Sequence, residues 1–92
     1  MKYTIQRTAS FKKDYKLIKK RGYDINKLKI VVALLADGQI LPAIYDDYAL
    51  TGNWKGYREC HIEPDWLLVY KKFENELILS LSRTGTHSDL SF

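Results

Sequence analysis

Residues 54–83 read WKGYRECHIEPDWLLVYKKFENELILSLSR: three runs rich in aromatic and branched apolar side chains, separated by Glu63-Pro64 and Glu74-Asn75. Each run has strand length, and each break holds turn-forming residues short enough for a hairpin. In the third run Leu77, Leu79 and Leu81 alternate with Ile78, Ser80 and Ser82, the pattern of a half-buried strand. The expectation is three consecutive antiparallel strands over residues 54–62, 65–73 and 76–83.

Upstream, residues 39–53 lose all periodicity and carry Pro42, Asp46-Asp47 and Thr51-Gly52-Asn53. They read as a long loop, and long loops in compact domains are often functional. Before the loop, Thr8 or Ser10 can cap a helix that places Phe11, Tyr15 and Ile18 on one face, and Gly22 ends it. Asp24 caps a second helix with Ile25, Leu28, Val32 and Leu35 as its apolar stripe, and Gly38 suits the left-handed position that closes it. Residues 2–7 alternate as a short first strand. The order β-α-α-β-β-β defines an α+β domain, an antiparallel sheet covered on one face by an N-terminal helical hairpin. Ninety-two residues make one domain, 1–92, with one modest core.

Composition narrows the function classes. At 46% hydrophobic and 28% charged, the chain is an ordinary globular protein. Its one cysteine, Cys60, permits no internal disulfide, and it reads as an apolar filler of a strand. The opening stretch lacks the continuous apolar run of a signal peptide, and no segment has the length of a membrane span, so a cytoplasmic location is expected. The net charge is +4, and Lys12, Lys13, Lys16, Lys19, Lys20, Arg21, Lys27 and Lys29 gather eight of the fifteen basic residues in one segment. Such a patch attracts a polyanion or an acidic protein, although a solvated helix face looks the same.

Polar chemistry concentrates in the C-terminal half. Strand alternation puts Lys55, Tyr57, Glu59 and His61 on one face, with Trp54, Gly56, Cys60 and Ile62 opposite. Asp65 follows across the hairpin turn, and His87 follows the last strand beyond Arg83. Cleaving RNA without a metal needs a base for the 2′-hydroxyl, an acid for the departing 5′-oxygen and a cation for the charge on phosphorus. Histidine serves both proton roles, a carboxylate can orient it or act as base, and arginine matches phosphate. Exposed bases stack on aromatic rings, for which Trp66 and Phe92 are candidates. Each residue also has a plainer reading: His61 as a surface residue, Asp65 as a turn residue, Trp66 as core, Phe92 as a terminal anchor, and Arg83 as a partner of Asp89 or Glu76. From residues alone the reading ends at a small basic α+β domain with a candidate His/Asp/Arg site.

The stretches GNWKGYRECHIEPDWLLVY (52–70) and SRTGTHSDL (82–90), with the lead-in Tyr45 to Gly52, resemble the YafQ branch of the RelE/ParE superfamily of bacterial type II toxins. The resemblance covers nearly the whole chain. It implies a microbial-ribonuclease-like fold, cleavage of mRNA in the ribosomal A site without metal or cofactor, and neutralisation by a DinJ-like antitoxin, with operator DNA met only through the antitoxin complex and no membrane partner. It places catalytic residues at His61, Asp65 and His87 with the acidic Glu59, a supporting basic residue at Arg83, and a substrate-contacting aromatic at Trp66. Lys55, Tyr48 and Phe92 complete the expected RNA-contacting set. The chain departs from the pattern twice, with Tyr48 where such toxins often carry a histidine, and Ser91 where they place an aromatic that here comes one residue later. The rivals are a ParE-like inhibitor of gyrase, which shares the fold and has no need of paired proton-transfer groups, and a basic nucleic-acid-binding module.

Overall fold

The computed structural model describes residues 1–91. Five strands form one sheet in the order β1-β5-β4-β3-β2, with β1 at Thr4–Arg7, β2 at Tyr48–Ala49, β3 at Arg58–Glu63, β4 at Trp66–Phe73 and β5 at Ile78–Gly85. Helices α1 (Ala9–Lys20) and α2 (Ile25–Ala36) cover one face, α1 over β5 and α2 over β3. A one-turn helix, α3 (His87–Leu90), follows β5.

The helix signals act as the sequence predicts. Thr8 caps α1 by accepting the Phe11 N–H at 3.0 Å, and its hydroxyl donates to the Ser82 carbonyl at 3.0 Å, so the cap also ties α1 to β5. Asp24 caps α2 through the Asn26 N–H at 3.0 Å. Gly38, at φ +77°, closes α2 in the left-handed region. The buried stripe of α2 is Leu28, Val31, Leu35 and Ala36, slightly rotated from the expected one, with Ile25 and Val32 at its margin. The main core lies between the helical hairpin and the sheet and holds Phe11, Ile18, Leu28, Leu35, Cys60, Trp66, Leu68, Tyr70, Leu79 and Leu81. A smaller cluster on the opposite face joins Leu67, Val69 and Leu90 to Leu50, Trp54 and Tyr57.

The expected topology needs four corrections. The sheet is mixed, because β1 runs parallel to β5. A tight hairpin forces antiparallel pairing, whereas β1 reaches β5 only through both helices and three strands. The loop over 39–53 contains β2, which pairs with β3, and two 3-10 turns at Ala43–Tyr45 and Gly52–Trp54. The run from Trp54 becomes strand only at Arg58, since Gly56 takes φ +94° and breaks the alternation, leaving Lys55 in the preceding turn. Leu77 is exposed in the second hairpin turn at φ +53°, and a bulge at Ser82 shifts the register between Leu81 and Arg83. That extra residue keeps Thr84 on the same side as Leu81, where it pairs with Leu68 and meets Trp66.

Candidate active site

The β3–β4 turn, the end of β3, the loop before β2 and the start of α3 converge at one end of the sheet. The His61 and His87 rings lie 5.6 Å apart, centroid to centroid. Asp65 reaches His87 twice through one oxygen: its Oδ1 is 2.5 Å from the ring Nδ1 and accepts the His87 backbone N–H at 2.9 Å. The backbone N–H first, and the ring second, hold the Asp65 carboxyl below the usual aspartate range. The side chain of His61 is 17% exposed, with Nδ1 3.4 Å from the Asp46 carbonyl and 3.8 Å from its carboxylate. In both histidines Nδ1 faces an acceptor, which leaves Nε2 as the nitrogen free for proton transfer.

Tyr48 stands beside His61 with ring centroids 6.1 Å apart, and its hydroxyl donates to Glu59. That carboxylate, then burial, pushes the Tyr48 hydroxyl up to about 12, so it holds its proton at neutral pH. Glu59 is only 4% exposed, where strand alternation places it on the same face as His61. Tyr48, Leu50, Glu59, Leu67, His87, Leu90 and Ser91 line one shallow groove, and His61 lines another with Tyr45, Asp46 and Glu63.

His61, His87, Asp65, Glu59 and Tyr48 are thus brought together. Trp66 is not among them: it is 1% exposed, sits edge-on to Tyr23 in the main core, and donates from Nε1 to Thr84 Oγ1 at 3.0 Å. As the first residue of β4 its ring falls on the helix-covered face, so it cannot stack on a base in this structure. Arg83 pairs with Asp14 of α1, Nε to Oδ2 at 2.6 Å, and not with Asp89 or Glu76. Lys55 is exposed in the turn before β3, and Phe92 lies outside the described residues. The sequence reading missed Asp46, whose left-handed backbone (φ 43°) turns its carbonyl toward His61. The Asp46-Asp47 pair in an aperiodic loop is the signal that could have drawn attention to it.

A family model described as the bacterial toxin of type II toxin–antitoxin systems, YafQ, matches residues 3–92. The mRNA interferase toxin YafQ of Escherichia coli strain K12 is 47% identical over 87 residues, 94% of this chain and 92% of that protein. YafQ in the crystal structure of the E. coli DinJ–YafQ complex superposes with a TM-score of 0.87 at 46% identity, covering 96% of this chain and 97% of that one. A metal-bound toxin from Helicobacter pylori superposes with a TM-score of 0.90 at 44% identity, covering 96% and 98%. With sequence, fold and the conjunction of His61, Asp65 and His87 in agreement, this chain belongs to the YafQ family of bacterial type II toxins.

Proposed function

We propose that this chain is an mRNA interferase, an endoribonuclease that cuts message in the ribosomal A site, and that a DinJ-like antitoxin neutralises it. The observation that carries the reading is the pair of imidazoles 5.6 Å apart, each with Nδ1 against an acceptor. In this mechanism His61 takes the proton from the 2′-hydroxyl through Nε2. The 2′-oxygen attacks phosphorus, the bond from phosphorus to the 5′-oxygen breaks, and His87 delivers its proton to that oxygen. Asp65, held ionised, faces the His87 ring and supports its protonated form, whose charge offsets that on phosphorus. Glu59 and Tyr48 form the wall of the groove beside His61.

One H. pylori relative is metal-bound. Among the described residues no group of three His, Cys, Asp or Glu side chains is placed to hold an ion. A ParE-like action on gyrase leaves the two histidines and their acceptors without a purpose. A basic nucleic-acid-binding module does the same.

The test is to incubate the protein with ribosomes and message and map the new 5′ ends, for wild type, His61→Ala and His87→Ala. Wild type should cut within the A-site codon. Each variant should stay folded and lose about 10²- to 10⁴-fold in rate, the contribution of one proton-transfer group. Full cleavage by folded His87→Ala overturns the mechanism.

A further inference from the structure

His87 sits on a four-residue helix, too short to hold its own shape in water. Its geometry comes from outside. Asp14 and Arg21, seven residues apart and so on one face of the α1 rod, grip the segment around His87 at both ends. At the near end Asp14 accepts from Arg83 at 2.6 and 3.3 Å and from the Thr84 N–H at 3.1 Å, just past the point where β1 stops covering the β5 edge. At the far end Arg21, the residue closing α1, forks onto Asp89: Nη1 to Oδ2 at 2.6 Å and Nη2 to Oδ1 at 3.1 Å.

Asp89 is also half of the capping box that starts α3. Its Oδ2 accepts the Thr86 N–H at 2.9 Å, and its own N–H donates to Thr86 Oγ1 at 3.1 Å. The box is therefore bolted to α1 through the same carboxylate that closes it. Gly85 makes room for this: a Cβ there would lie 2.9 Å from the Asp89 Cβ, and its φ of +154° suits glycine. A planar fork against a carboxylate fixes direction as well as distance, which a lysine at position 21 would not do.

We propose that Arg21 is a positioning residue for His87: by clamping Asp89 it locks the one-turn helix so that the His87 ring meets Asp65 and faces His61. Arg21 thereby leaves the free basic surface in which the sequence places it. The inference rests on the cleavage mechanism for its kinetic consequence, and its geometric half can be measured without RNA.

Cleavage rates over a range of ribosome-bound message concentrations and the imidazole ¹⁵N resonances of the free toxin would be recorded for Arg21→Ala, Asp89→Ala, the double variant and Arg21→Lys. Arg21→Ala and Asp89→Ala should each lower kcat about ten-fold with KM unchanged, as a small misplacement of a reacting group does. The double variant should be no slower than either single, and Arg21→Lys should recover part of the loss. The His87 ring signals should move toward those of an unstructured histidine while those of His61 stay in place. If Arg21 instead contacts RNA by charge, Arg21→Ala raises KM and Asp89→Ala lowers it. That result, or unmoved His87 signals, overturns the proposal. Should wild type fail to cut RNA, the cleavage reading falls, and the ¹⁵N signals still decide the role of Arg21.

Discussion

One oxygen of Asp65 receives both the backbone N–H of His87, at 2.9 Å, and the contact with its Nδ1, at 2.5 Å. The carboxylate thus fixes the start of α3 and the ring that α3 carries, although its side chain is 66% exposed. Those two contacts keep it ionised below the ordinary aspartate range, so the arrangement persists through mildly acidic pH.

Asp65→Asn should therefore keep the fold and lose rate. The amide can still accept the backbone N–H, but it brings no charge to the imidazole. Cleavage by the variant should fall by about 10- to 10²-fold from misorientation of His87. The check is single-turnover cleavage beside circular dichroism of the same preparation, and an unchanged rate would show that the contact is incidental.

Asp89 carries a strongly lowered carboxyl, held first by the Arg21 fork and then by the Thr86 N–H. A group whose folded pKa is depressed stabilises the protein above its unfolded value, near 3.9, and loses that contribution as pH falls through the folded value. The melting temperature of wild type should accordingly drop faster below about pH 4 than that of Asp89→Asn, and the variant should already melt lower at pH 7. Parallel curves would contradict the assignment.

Much of this architecture is legible locally. Thr8, Asp24 and Gly38 act at the helix ends where their chemistry places them, and the hairpins at 64–65 and 74–77 follow from turn residues. Failures occur where the deciding contact is distant or the pattern is mute. The stretch WLLVY (66–70) is continuously apolar because this part of β4 is buried on both faces, so periodicity cannot say which way Trp66 points. Two residues are too few for β2 to show a period, and the parallel pairing of β1 depends on a strand over 70 residues away. His61, Asp65 and His87 stand out in the sequence through their motif. Asp46, Asp14 and Arg21 lie in no motif, and only the folded chain brings them to the site.

Tyr48→Phe should expose the role of the buried Glu59. Without the tyrosine hydroxyl the carboxylate loses a partner while remaining desolvated, at a cost of about 1–3 kcal/mol in denaturant unfolding. Since Glu59 pushes the wild-type hydroxyl up to about 12, its removal should leave the pH–rate profile between 6 and 9 unaltered in shape. A new alkaline limb in that range would contradict this.

Lys16, Lys19 and Lys20 are exposed on α1. Replacing all three by Gln should weaken ribosome association and flatten its salt dependence, because each phosphate contact contributes roughly one unit to the slope. Cleavage at saturating ribosome should change little. Normal association with slow turnover would show that the binding surface lies elsewhere.

The chemistry of the cut ends separates transfer between two histidines from metal-assisted hydrolysis. Attack by the 2′-oxygen with proton transfer between two histidines leaves a 2′,3′-cyclic phosphate, or the 3′-phosphate from its opening, on one fragment and a 5′-hydroxyl on the other. Free toxin would be treated with EDTA, freed of chelator, and added to ribosomes and message in buffered magnesium, and the fragment ends identified by mass spectrometry. Undiminished cleavage with those ends is expected. Fragments bearing 5′-phosphate and 3′-hydroxyl, or cleavage lost on chelating the free toxin, would contradict it.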